Sequence, residues 1–170
     1  LTALPGLKDI SLTTNGVYLK DNLEKLRSAG IKRINVSLDS LCEERYKKIT
    51  GYDSFKEVWE GIQLASKLEF QPIKINVVVI KGINDDEILD LARLTLHEPY
   101  HIRFIEYMPL GVKNRSDILR HVPSSLIKKR LNSLEKLVQI PGTTLDGPGE
   151  RFKFYGAPGE IGFISAISHH

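Results

Sequence analysis

Cysteine is almost absent: the 170-residue chain has one, Cys42, so no internal disulfide can form. A single thiol suits a reducing compartment, and a cytoplasmic protein is expected. No apolar run approaches the roughly 20 residues of a membrane span, and no segment reads as a signal peptide. No glycine-rich phosphate loop follows a strand, no His or Cys spacing fits a metal, and no Ser-His-Asp or Cys-His set assembles. Nor is there a large excess of one charge. The 24 Lys plus Arg stand against 21 Asp plus Glu, a balance of +3. That does not call for a nucleic-acid surface but suits a small anionic ligand. With 41% hydrophobic and 26% charged residues the chain is an ordinary globular one, long enough for one domain. It opens at Leu1 without methionine and in mid-pattern, so a piece of a longer protein is expected.

What is present is a repeated strand-helix alternation. Ile73 to Ile80 (IKINVVVI) is almost wholly apolar and β-branched, as in a strand buried on both faces of a parallel sheet. Asp9–Leu12, Arg33–Asp39 and His101–Tyr107 read as three further strands. Helices are expected at Asn22–Gly30, Leu41–Ile49, Phe55–Lys67 and after Asn84. Ser40–Glu43 and Ser54–Glu57 read as capping boxes, and Asn84 as the N-cap of the helix that follows. Asp85, Asp86 and Glu87 then read as helix-start electrostatics. From Val112 to Pro123 a surface loop is expected, then a helix over Ser124–Asn132 whose Lys128-Lys129-Arg130 run reads as a solvated face. Gln139–Glu150 reads as loop. Arg151–Tyr155 and Glu160–Ser168 read as a hairpin around Gly156-Ala157-Pro158-Gly159. Alternating strands and helices predict an α/β fold with a parallel sheet, too short for a full eight-unit barrel, hence an open sheet or an arc of a larger barrel.

Ligands in such folds bind at the carboxyl ends of the strands. Each strand carries polar residues there or on one face. Thr13, Thr14 and Asn15 close the first; Asn35, Ser37 and Asp39 share one side of the second. Lys74 and Asn76 lie on the third, Arg103 and Glu106 on the fourth. Alone, Lys74 reads as a side chain snorkelling to water. Repeated over four strands, the pattern predicts a concave polar lumen for an anionic small molecule. One cation about 4 Å from a phosphate is worth roughly 4 kcal/mol at an effective dielectric near 20, before desolvation.

Six stretches, in order, carry a resemblance: Leu12–Gly16 (LTTNG), Arg33–Asp39 (RINVSLD), Lys74–Val78 (KINVV), Lys81–Asp85 (KGIND), Ile102–Pro109 (IRFIEYMP) and Glu160–Ser165 (EIGFIS). Together they resemble the molybdenum cofactor biosynthesis protein A family, the GTP 3′,8-cyclases of the radical S-adenosylmethionine superfamily. The resemblance implies a partial triosephosphate-isomerase-type barrel of six βα units, of which this chain holds about strands three to six. Residues 1–111 would belong to that core, and 112–170 to a C-terminal extension of loop, short helix and β-hairpin. It implies a lyase that rearranges GTP by radical chemistry to a cyclic pyranopterin precursor, a homodimer that acts before cyclic pyranopterin synthase. S-adenosylmethionine and two 4Fe-4S clusters would be the cofactors. Thr13, Lys74 and Arg103 are implied as GTP residues, and Ser37, Asn76 and Met108 as S-adenosylmethionine residues. Each cluster needs three cysteines and this chain has one. The resemblance therefore implies that the clusters are ligated beyond both ends, that no catalytic or metal-binding residue lies in this stretch, and that this chain alone is inactive. A radical S-adenosylmethionine enzyme with another substrate, or a non-catalytic nucleotide-binding barrel fragment, are the alternative readings.

Overall fold

Strand and helix alternate because apolar residues recur with period two in some segments and on one helical face in others. The computed structural model describes residues 9–109, 119–142 and 149–165. In chain order its elements are β1 (Ser11–Thr14), α1 (Leu19–Ser28), β2 (Arg33–Ser37), α2 (Glu43–Thr50), α3 (Phe55–Lys67), β3 (Ile73–Val79), α4 (Ile88–His97) and β4 (Tyr100–Glu106). Then follow α5 (Ser124–Leu131), β5 (Leu137–Ile140), β6 (Glu150–Phe154) and β7 (Glu160–Ile164). All seven strands form one sheet in the order β1-β2-β3-β4-β7-β6-β5. Strands β1 to β4 run parallel, and β7 joins β4 in parallel. Strands β6 and β5 are added antiparallel. The fold is α/β, an arc of parallel βα units with a hairpin built onto its edge.

The helix-covered face of the sheet is the core. Ile34, Val36, Ile75, Ile102, Phe104 and Ile161 are fully buried, as are Val58, Ile62 and Ala65 of α3 and Leu91 and Ala92 of α4. Each large apolar side chain so buried contributes about 1.5–3 kcal/mol. Trp59 stacks on Phe55, with ring centroids 6.5 Å apart, which fits the packing role its helical spacing gives it. Between β1 and α1, Gly16 has φ +84°, and a Cβ there would lie 2.9 Å from Val58 and 3.0 Å from Val36. Only glycine closes that turn without pushing α3 off the sheet.

Several local readings differ from the structure. Strand β1 begins two residues later than expected, so Thr13 and Thr14 lie inside it rather than beyond its end. A strand, β5, occupies Leu137–Ile140, part of which reads as loop; its pairing with β6 supplies what its composition does not. Asn84 does not cap α4. Its Nδ2 donates to the carbonyls of Asp39 (2.7 Å) and Val78 (2.9 Å), and its Oδ1 accepts from Ile80 N–H (2.7 Å), so it clips the ends of β2 and β3 together. Neither Ser40 nor Ser54 is an N-cap with a side-chain bond: Cys42 precedes α2, and Ser54 Oγ is buried without a partner. The acidic run is tertiary rather than a helix-start device. Asp85 takes Arg130, Asp86 takes Arg45, and Glu87 accepts from Ser40 Oγ and Leu41 N–H. The basic run is correspondingly less solvated than expected. Lys128 pairs with Glu150 over the Phe152 ring, and Arg130 donates to the Asp85 carbonyl at 2.6 Å. The expected loop from Val112 and the end of the second hairpin strand, through Ser168, lie largely outside the described residues.

Candidate functional site

Side chains alternate across a pleated strand, so the face opposite the helices is set by parity and register. On β2 it carries Asn35 and Ser37, on β3 Lys74 and Asn76, on β4 His101 and Arg103. Register aligns these into rows. Thr13 stands opposite Asn35, Asn35 opposite Lys74, Lys74 opposite His101, and His101 opposite Glu160. The next row, roughly 7 Å further along the strands, runs Ser37, Asn76, Arg103, Gly162 and Arg151. Six strands thus deliver polar side chains to one face.

Within the first row, Asn35 Nδ2 donates to Thr13 Oγ1 at 3.2 Å, so the amide orients the hydroxyl. Lys74 is 3% exposed, far from the water that snorkelling would require. In the second row, Ser37 is exposed, and Asn76 Oδ1 is buried with no hydrogen-bond partner. An unsatisfied buried acceptor costs about 1–3 kcal/mol, so this carbonyl oxygen suits a ligand's N–H or O–H. Just past the row, Asp39 Oδ1 accepts from Val78 N–H at 2.7 Å. Burial outweighs that bond and raises the Asp39 pKa above the ordinary carboxylate value.

A cavity of about 210 Å³ opens on this face between β3, β4 and the hairpin. Lys74, His101, Arg103, Arg151 and Glu160 line it, over a floor at Gly162. A Cβ at Gly162 would come within 3.1 Å of Arg103 Cγ, so the glycine leaves space where the row would otherwise be filled. Arg151 grips Glu160 with Nε (3.0 Å) and Nη2 (2.9 and 2.7 Å). His101 Nδ1 lies 3.6 Å from Glu160 Oε2.

Of the residues singled out in the sequence, Thr13, Ser37, Lys74, Asn76 and Arg103 share this face. Met108 follows the end of β4 and is 43% exposed. Glu106 does not join them. It points to the helix side, 1% exposed, where its Oε1 accepts from Ser124 N–H at 2.8 Å. An even step along a strand keeps a side and an odd step changes it, and Arg103 and Glu106 are an odd step apart. Sequence reasoning did not single out His101, Arg151, Glu160 or Gly162. Parity with Arg103 marks His101; nothing local marks the hairpin residues. No three His, Cys, Asp or Glu side chains among the described residues gather as a metal site, and one cysteine does not furnish three thiolates. The described residues therefore do not fit an iron–sulfur cluster.

The profile of the Radical SAM superfamily matches residues 2–95. The chain is 45% identical over 170 residues to the GTP 3′,8-cyclase of Moorella thermoacetica, covering 100% of this chain and 52% of that protein. It is 42% identical over 170 residues to the GTP 3′,8-cyclase of Alkaliphilus metalliredigens, again with 52% of that protein covered. The chain thus spans about half the length of the curated relatives it matches. A radical SAM methyltransferase from Sphaerobacter thermophilus shares its fold, with a TM-score of 0.54 at 15% identity over 91% of this chain and 40% of that one.

Proposed function

The chain belongs to the radical SAM superfamily, and on that premise we propose that it forms the substrate-holding core of a GTP 3′,8-cyclase of molybdenum cofactor biosynthesis. The observation that carries this reading is Lys74, a 3%-exposed cation beside a cavity, in one row with Thr13 and next to Arg103. A cation in the wall of a cavity draws anions toward it, and a nucleotide triphosphate carries several negative charges. The identity to two GTP 3′,8-cyclases across the whole chain gives that anion a name.

In this reading Lys74 and Arg103 neutralise the phosphates, and Thr13, oriented by Asn35, receives a polar atom of the substrate. Ser37, Asn76 and Met108 hold S-adenosylmethionine at the carboxyl ends of the strands. Hydrogen abstraction from the ribose is the chemistry that cofactor supplies when bound. The chain's own part is to bind and orient. Two 4Fe-4S clusters and their cysteines belong to the rest of the protein. Residues 1–111 form the barrel core and 112–170 the extension that adds the hairpin. A cytoplasmic homodimer feeding cyclic pyranopterin synthase completes the proposal.

The test is equilibrium binding by the full-length protein. GTP is expected to bind well ahead of ATP, and Lys74→Ala to weaken GTP binding about 100-fold, the part of a roughly 4 kcal/mol interaction left after desolvation. Equal binding of GTP and ATP, or a Lys74→Ala variant with unchanged affinity, would falsify it.

A further inference from the structure

We propose that Asn35 is a positioning residue for the substrate: it commits the Thr13 hydroxyl to donating, so the nucleotide atom that meets Thr13 is an acceptor oxygen. This rests on the nucleotide reading above. Of the three polar residues at the end of β1, two are engaged locally. Thr14 Oγ1 accepts from Gly16 N–H at 3.0 Å, and Asn15 Oδ1 accepts from Val17 N–H at 3.3 Å. Both serve the turn into α1. Thr13 is exposed on the polar face and bonds instead across the sheet, to the residue opposite it in β2.

The direction of that bond follows from a second contact. Asn35 Nδ2 lies 3.2 Å from Thr13 Oγ1 and 3.4 Å from the Leu12 carbonyl oxygen. A carbonyl oxygen can only accept, so the end of the amide that faces β1 is its nitrogen. One amide hydrogen then goes to Leu12 and the other to Thr13. A hydroxyl has one proton and two lone pairs. Asn35 occupies a lone pair, and the proton is left for a ligand. Accepting one hydrogen bond also strengthens a hydroxyl as a donor. A phosphate, ribose or base oxygen can receive that proton, whereas a ligand N–H cannot. The amide of Asn35 therefore selects the polarity of the ligand atom and not only its place.

The experiment is equilibrium GTP binding by the full-length protein, for wild type, Thr13→Val, Asn35→Asp, Asn35→Ala and each Asn35 variant combined with Thr13→Val. Thermal unfolding of every variant reports whether it folds. Thr13→Val is expected to weaken binding about tenfold, the size of a hydrogen bond to a charged group. Asn35→Asp keeps the shape of the side chain but has no N–H, and its carboxylate takes the Thr13 proton for itself. It is expected to weaken GTP binding about tenfold more when the hydroxyl is present than in the Thr13→Val background. The added negative charge acts in both backgrounds and cancels in that comparison. Asn35→Ala adds no charge, and lowers affinity about threefold with the hydroxyl and not at all without it. Should Asn35→Asp fail to fold, Asn35→Ala decides alone. A purely structural Asn35 would lose the same factor in both backgrounds. Equal losses in the two backgrounds for either variant, or a Thr13→Val variant with wild-type affinity, overturn the inference. If Lys74→Ala leaves GTP binding unchanged as well, the nucleotide reading itself is wrong; if Lys74→Ala weakens binding while the Asn35 losses are equal, only the role of Asn35 is.

Discussion

Burying a single carboxyl has a measurable signature at Asp39. Its folded-state pKa is raised by burial, against the pull of the Val78 N–H. The folded protein therefore holds that proton more tightly than the unfolded chain does. The resulting contribution to stability is full below the unfolded carboxylate value, near 3.9, and is lost as pH rises through the folded value. Urea unfolding at a series of pH values should show Asp39→Asn gaining on wild type as pH climbs through that window. A carboxyl titration by NMR should place the Asp39 midpoint above the ordinary one; a midpoint at or below it refutes the assignment. At Gly162 the issue is space. Gly162→Val should push on Arg103, whose Cγ already lies 3.1 Å from an added Cβ, and fill the cavity floor. Overpacking of this kind costs about 1–3 kcal/mol, and GTP binding should fall by about tenfold or more. Calorimetric titration beside thermal unfolding separates the two effects, and unchanged affinity would show that the ligand does not reach that floor.

Between residue and fold stand the clips that hold elements in register, and none is a helix-capping motif of the expected kind. Glu106 ties the start of α5 to the end of β4. Its carboxylate side chain is 0% exposed, accepts from Ser124 N–H, and lies 3.3 Å from His121 Nε2. Glu106→Ala should cost about 2–4 kcal/mol by urea unfolding, since it leaves a buried N–H and its neighbours without their anion. A loss below about 0.5 kcal/mol, the size of an ordinary surface change, would mean that α5 is anchored otherwise. Asn84 and Glu87 act in the same way at the ends of β2, β3 and α2. In each case a residue type favoured at helix starts is used across the sheet, because tertiary partners offer it more bonds than the local backbone does.

For the molecule as a whole, one face of the sheet carries the polar rows and the cavity, and under the proposed function the cluster ligands lie in other parts of the protein. Supplied with GTP, S-adenosylmethionine, iron, sulfide and a reductant under anaerobic conditions, this 170-residue chain alone is expected to make no cyclic pyranopterin. Chromatography of the reaction checks this, and product from the chain would refute it. Much of the architecture was legible beforehand. Period-two runs of β-branched residues and one-sided helices dictate the parallel βα arc, and parity alone puts Lys74 with Asn76 and Ile34 with Val36, because the alternation of a strand is a local property. The same rule puts Glu106 on the helix side, away from Arg103. Which strands become neighbours is not a local property. The hairpin's β7 lies beside β4, and this brings Glu160 to His101 and Gly162 to Arg103. Only the packed sheet decides that pairing, since it depends on which buried faces fit together across distant parts of the chain. The side of the sheet that gathers the polar residues was written in the alternation; the cavity and the histidine within it came from tertiary contact.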